Sequence, residues 1–75
     1  MQEKVIKILM DYMDVEREFI TLNSKFERDF GMDSLDFMEM IVSVENATNI
    51  GVDQNNISDI ETVYDLIEYL EEMAI

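Results

Sequence analysis

The sequence contains no cysteine and no histidine. Without cysteine it can form no disulfide, thiolate nucleophile or thiolate metal site, so any thiol chemistry must come from a cofactor. Without histidine it lacks the commonest general base and the commonest transition-metal ligand. These absences argue against self-contained catalysis, and we predict neither catalytic residues nor a dedicated metal site.

Basic residues are scarce: five Lys and Arg stand against 18 Asp and Glu, which gives a formal net charge of -13. This charge repels nucleic acid and anionic membranes and attracts basic protein surfaces. The sequence also lacks an apolar run long enough for a signal peptide or a membrane span. We therefore expect a cytoplasmic monomer with electropositive protein partners, stabilised by salt or divalent cations.

The chain is short, at 75 residues, and has no Pro- or Ser-rich linker and no internal repeat. That length fits one domain with one core, and we assign residues 1–75 to it. Apolar residues make up 48% of the sequence, which suffices for a compact interior but not for a deep cleft between lobes. A surface function is expected.

Apolar periodicity predicts three amphipathic helices, over residues 3–13, 34–46 and 62–73. Thr62 and Asp65 have the spacing of a capping box at the start of the third. Residues 53–60 can hold a further short helical turn, so the expected fold is an all-α bundle of three to four helices. The long first loop, residues 14–33, is predicted to bury its aromatic side chains against the bundle, with Gly31 supplying an unusual backbone angle.

The middle helix carries two apolar stripes. Spacing of 100° per residue places Phe37, Met40, Ile41 and Val44 together as the core face. A second stripe on the far side consists of Leu35, Met38 and Val42, and either the long loop covers it or it is offered to a partner. Four acidic residues form a rim around this stripe: Asp33, Asp36, Glu39 and Glu45. This acidic rim favours a partner with a basic groove.

Ser34 opens the middle helix. It is typical of a helix start, and either Asp33 or Ser34 can serve as the N-cap. A phosphate ester at this position would also meet the free amides and the positive end of the helix dipole, although the neighbouring carboxylates oppose it. With no histidine to activate it, Ser34 is not the nucleophile of a catalytic triad, and any reactivity must be supplied by another protein.

Residues 29–36 read Asp-Phe-Gly-Met-Asp-Ser-Leu-Asp, preceded by Phe26 and followed at 60–63 by Ile-Glu-Thr-Val. This pattern resembles the acyl carrier protein family over nearly the whole chain. The resemblance implies an acyl-carrier-like fold in which Ser34 carries 4'-phosphopantetheine, whose thiol holds acyl groups as thioesters for fatty-acid, polyketide or related biosynthesis. Asp33 and Leu35 belong to the attachment motif.

The resemblance also implies partners, namely a phosphopantetheinyl transferase and acyl-transferring, condensing or modifying enzymes with basic docking surfaces. The positions that match partner-facing positions of the family are Leu35, Asp36, Met38, Glu39 and Val42, with Glu45 in the same recognition helix. Phe30 and Phe37 replace the leucine and the smaller residue common in the family, and few acids follow Glu45. These departures suggest a specialised carrier.

Two other functions are compatible with parts of the sequence. Residues 53–59 are rich in oxygen ligands, but an EF-hand needs an oxygen ligand, glycine and glutamate where this chain has Ile57, Ser58 and Tyr64. Weak binding of divalent cations to clustered carboxylates stays open. The other alternative is an acidic adaptor that docks through the second stripe without a prosthetic group.

Overall fold

The computed structural model describes residues 1–74. Three α-helices cover Gln2–Met13 (α1), Ser34–Thr48 (α2) and Val63–Met73 (α3). Two 3₁₀ helices lie in the connections, at Arg17–Phe19 and Gln54–Asp59. The predicted all-α bundle is therefore confirmed, and the second 3₁₀ helix occupies the segment where a short helical turn was expected. We call residues 14–33 loop 1 and residues 49–62 loop 2.

Helix α1 is amphipathic as predicted. Val5, Ile6 and Leu9 are buried at helical spacing, whereas Lys4 and Lys7 are exposed on the other side. The helix ends where Asp14 adopts a left-handed conformation with φ of 55°, and its amide bonds to the Met10 carbonyl. Burial of one face against the rest of the bundle, more than intrinsic propensity, stabilises a helix of this length.

Helix α2 buries Met40, Ile41 and Val44, as the periodicity predicted. Phe37, assigned to the same face, is half-buried and packs its ring against that of Phe26, with the ring centroids 5.5 Å apart. The helix runs to Thr48, two residues beyond the predicted end. It ends there because Asn49 adopts a left-handed conformation.

Helix α3 begins with the predicted capping box. The Thr62 side chain accepts a bond from the Asp65 amide, and the Asp65 side chain accepts one from the Thr62 amide. The helix then buries one face against the core, formed by Val63, Leu66, Ile67 and Leu70.

Loop 1 carries both buried and exposed apolar side chains. Ile20, Phe26 and Met32 are buried, and Gly31 has the predicted unusual backbone angle, a φ of 68°. The expectation that the loop buries its aromatic residues is wrong for Phe19, which is 52% exposed. Its 3₁₀ turn places it outside the core, where its ring packs on Phe30 with centroids 5.5 Å apart.

The backbone of loop 1 is joined to the start of α3. The Phe26 amide donates to the Glu61 carbonyl at 3.1 Å, and the Val63 amide donates to the Ser24 carbonyl at 3.1 Å. The Tyr64 amide donates to the Leu22 carbonyl at 2.9 Å. Because the first amides of a helix have no partner inside it, these bonds stabilise α3 and fix loop 1 beside it.

Fifteen buried apolar residues from all three α-helices and both loops form one core cluster in the described chain. Phe26 is among the largest fully buried side chains and joins loop 1 to this core. Within residues 1–74, none of the helices is both long enough and apolar enough to cross a membrane.

Candidate functional site around Ser34

Ser34 is the first residue of α2, and its side chain is exposed. The N-cap is Asp33, whose extended backbone precedes the helix and whose carboxylate accepts a 2.8 Å bond from the Asp36 amide. The Asp36 carboxylate accepts a 3.3 Å bond from the Asp33 amide and completes a capping box. The Ser34 hydroxyl therefore stays outside the capping interaction.

Ser34 lies at a cleft of about 800 Å³ between loop 1, the start of α2 and the end of loop 2. We call this the Ser34 cleft. Apolar and charged side chains share its lining, in which Phe26, Met32, Phe37, Ile57 and Ile60 are apolar and Lys25, Glu27, Arg28, Asp33 and Glu61 are charged. The cleft gives a group attached to Ser34 room beside the protein surface.

The surroundings of Ser34 do not make it a self-sufficient nucleophile. The chain has no histidine, and the carboxylate nearest in sequence, Asp33, is engaged with the Asp36 amide. A serine hydroxyl needs an adjacent base or a comparable activating group before it can attack. The Asp33 carboxylate, engaged in the cap, does not supply such a group.

The second stripe of α2 is open to solvent at two of its three positions. Leu35 is 67% exposed and Val42 is 49% exposed, while Met38 is half-buried. Of the two possibilities left by the sequence, coverage by loop 1 is thereby excluded for Leu35 and Val42. An apolar strip of this kind, beginning one residue after Ser34, is a surface that a partner can cover.

Tyr12 of α1 reaches the acidic rim of this stripe. Its hydroxyl donates to the Asp36 carbonyl at 3.1 Å and lies 3.4 Å from a carboxylate oxygen of Glu39. Partial burial, followed by the nearby Glu39 and Asp36 carboxylates, raises the pKa of Tyr12 above its usual value. Tyr12 thus joins α1 to the first turns of α2, a contact that the sequence pattern did not reveal.

Glu45, the last residue assigned to the rim, is half-buried, and its Oε2 accepts a 2.8 Å bond from the Val52 amide. This bond ties loop 2 back to α2. Glu39, by contrast, is exposed. The acidic rim is therefore more available to a partner at Glu39 than at Glu45.

Sequence reasoning did not place Lys25, Arg28, Ile57 or Ile60 at the site, yet all four line the Ser34 cleft. Ile57 and Ile60 lie in residues 53–60, for which the sequence predicted only a short helical turn. The cleft forms because loop 1 and loop 2 meet near the start of α3, and backbone hydrogen bonds between distant segments leave no pattern in the side chains. The spacing of two basic residues before the Asp-Ser-Leu motif was the one available signal.

Comparisons with known proteins agree with this geometry. Residues 3–70 match the family model described as the phosphopantetheine attachment site. Acyl carrier proteins from two strains of Porphyromonas gingivalis are 34% identical over 70 residues, which cover 93% of this chain and 90% of theirs. An acyl carrier protein from Phytoplasma australiense is 29% identical over 69 residues, covering 92% of this chain and 91% of its own. The chain therefore belongs to the phosphopantetheine-attachment family of acyl carrier proteins, non-enzymatic carriers that bear 4'-phosphopantetheine.

Proposed function

We propose that Ser34 is the residue that carries 4'-phosphopantetheine. The observation that carries this proposal is its position: an exposed hydroxyl at the first residue of α2, outside the capping box and at the mouth of the Ser34 cleft. Asp33 fixes the start of the helix, and Leu35 presents an apolar side chain next to the attachment point. These residues fit the group, because the hydroxyl is accessible and the cleft beside it has room.

Attachment requires a transferase and coenzyme A. The Ser34 oxygen forms a bond to the phosphorus atom that bears pantetheine, and the bond from that phosphorus to the bridging oxygen of the diphosphate breaks. The serine proton passes to a base on the transferase, and adenosine 3',5'-bisphosphate leaves with the electron pair. When bound, the prosthetic group supplies the thiol that this chain lacks.

The partners that we propose are a phosphopantetheinyl transferase and the acyl-transferring, condensing or modifying enzymes of fatty-acid, polyketide or related biosynthesis. The exposed stripe of Leu35 and Val42 with its acidic rim supports basic docking surfaces on those enzymes. In this interface Met38 completes the stripe, Asp36 and Glu39 flank it, and Glu45 contributes at its far end. The half-buried Phe37 in the cleft lining, and Phe30, whose ring packs on that of Phe26, support a specialised carrier.

We also propose that the protein acts as a monomer in the cytoplasm beside these enzymes. Two copies that each carry a charge of -13 repel each other, which supports the monomer.

The attachment is tested by intact mass after incubation with coenzyme A and a broad-specificity phosphopantetheinyl transferase. We expect the wild type to gain one phosphopantetheine and Ser34→Ala to gain none. Ser58, an exposed serine that also lines the cleft, provides the matched control, and Ser58→Ala should load like the wild type. A gain that survives Ser34→Ala would place the attachment elsewhere, and no gain in the wild type would favour the acidic adaptor.

A further inference from the structure

Residues 25–30 of loop 1 hold two of the five basic residues of the chain, Lys25 in an isolated bridge with Thr62 and Arg28 in the turn that follows it. The Asp29 amide donates to the Lys25 carbonyl at 2.8 Å, and the Gly31 amide donates to the Glu27 carbonyl at 3.0 Å. Lys25 and Arg28 both line the Ser34 cleft, so this segment brings two positive charges to the cleft that holds the attachment serine.

Neither cation is strongly neutralised by the protein. Lys25 takes part in none of the ion pairs found within residues 1–74. Arg28 approaches the Asp29 carboxylate at 3.4 and 3.5 Å, and its side chain is 69% exposed, so this pair contributes little.

Asp29 has a different main contact. Its carboxylate accepts a 2.7 Å bond from the Lys25 amide, and this bond, followed by the Arg28 side chain, lowers the pKa of Asp29. The carboxylate therefore chiefly fixes the turn, which leaves donors of the Arg28 guanidinium available.

A negative group on Ser34 needs such compensation. The chain already carries a net charge of -13, and three acids, Glu27, Asp33 and Glu61, line the same cleft. A phosphodiester adds another negative charge beside them, and like charges at short range destabilise each other. Lys25 and Arg28 are the basic residues of the cleft lining, and a guanidinium and an ammonium both donate charge-assisted hydrogen bonds to phosphate oxygens.

We propose that Lys25 and Arg28 form a phosphate-binding pair that contacts the phosphodiester linking the prosthetic group to Ser34. This inference rests on the proposed attachment at Ser34 and assigns a positioning role to two residues outside the attachment motif. By holding the phosphodiester against loop 1, the pair sets the direction in which the arm leaves the protein, toward the Ser34 cleft.

The test uses the protein loaded with coenzyme A and the transferase, with loading verified by intact mass. The phosphorus NMR shift of the phosphodiester is measured in the wild type, in K25Q/R28Q and in K4Q/K7Q. The last is a matched control that removes two exposed positive charges from α1. The same samples in denaturant give the shift of the unbound phosphodiester, and a wild-type titration with sodium chloride gives the effect of screening.

We expect the wild-type shift to differ from the unbound value and K25Q/R28Q to move toward it. Because exposed ion pairs contribute little free energy, we expect the ratio of bound to unbound phosphodiester to fall about two- to fivefold in K25Q/R28Q. K4Q/K7Q should match the wild type, K25R/R28K should retain the bound shift, and salt should move the wild type toward K25Q/R28Q.

Coincident shifts in all loaded proteins, with no effect of salt, would overturn this inference while leaving the attachment at Ser34 intact. A wild type that gains no mass would overturn both proposals. If K25Q/R28Q fails to load or to fold, the salt titration of the wild type decides, because it needs no variant.

Discussion

At the scale of single residues, Asp33 determines how Ser34 is presented. Ser and Asp are both good N-caps, and the sequence allowed either one. In the structure Asp33 takes the cap with extended backbone, and Ser34 becomes the first helical residue. Had Ser34 been the cap, its oxygen would accept a bond from a backbone amide and would be a poorer target for modification. The carboxylate of Asp33 thus keeps the serine hydroxyl available.

The cap makes a testable contribution to stability. Replacing Asp33 by alanine removes the acceptor for the Asp36 amide, and loss of an N-cap costs about 1 kcal/mol. For a domain of this size we expect the melting temperature to fall by about 4–8 °C. Asp33→Asn should stay close to the wild type, because asparagine caps as well as aspartate.

Asp59→Ala is the matched control, because it removes one exposed carboxylate from the end of the second 3₁₀ helix. It should leave the melting temperature nearly unchanged. Equal destabilisation by Asp33→Ala and Asp33→Asn would assign the effect to the charge of Asp33 rather than to its capping bond.

At the scale of elements, α2 serves two surfaces at once. Met40, Ile41 and Val44 hold it in the core, while Leu35 and Val42 leave a stripe exposed on the other side. Tyr12 bonds to the Asp36 carbonyl, so the proposed docking surface is held by α1 as well as by the core. A partner can therefore meet a rigid helix, which lowers the entropy lost on binding.

Charge reversal at Glu39 tests this docking surface. Glu39 is exposed, and its 3.4 Å contact with Tyr12 is long, so Glu39→Lys should leave the melting temperature almost unchanged. Loading by the transferase at low carrier concentration should slow about three- to tenfold, because a rim charge changes association. Glu71→Lys, the same reversal on an exposed residue of α3, is the control and should load at the wild-type rate.

Equal slowing by both reversals would mean that the transferase responds to total charge and not to α2. A large loss of stability in Glu39→Lys would make the Tyr12 contact structural, against the proposed docking role.

The three α-helices could be predicted because their signals are local. Apolar residues recur every three or four positions, and Thr62 with Asp65 marks a helix start within four residues. The wrong expectation for Phe19 has a tertiary cause, since the 3₁₀ turn that turns it outward is not encoded by periodicity. The same applies to the Ser34 cleft: Lys25 and Arg28 reach it through backbone bonds between loop 1 and the start of α3.

At the scale of the whole molecule, charge opposes folding. Eighteen acidic residues are confined to a small domain with five basic ones, and the ion pairs found in residues 1–74 are exposed. The strongest by geometry is Arg17 with Glu3, where two bonds of 2.5 and 2.7 Å lower the pKa of Glu3. Exposed pairs contribute little, so most of the repulsion is not compensated within the chain. The same unbalanced charge supports the proposal of basic partners.

Screening should therefore stabilise the protein, and the melting temperature measures it. We expect the temperature to rise with sodium chloride, and about 1 kcal/mol of relieved repulsion corresponds to about 4–8 °C in a domain of this size. Within residues 1–74 no group of three or more acidic side chains is arranged to hold a metal ion. Magnesium chloride at matched ionic strength should accordingly give a similar rise. A much larger rise with magnesium would indicate a cation site built from fewer ligands, and a melting temperature insensitive to both salts would contradict the repulsion itself.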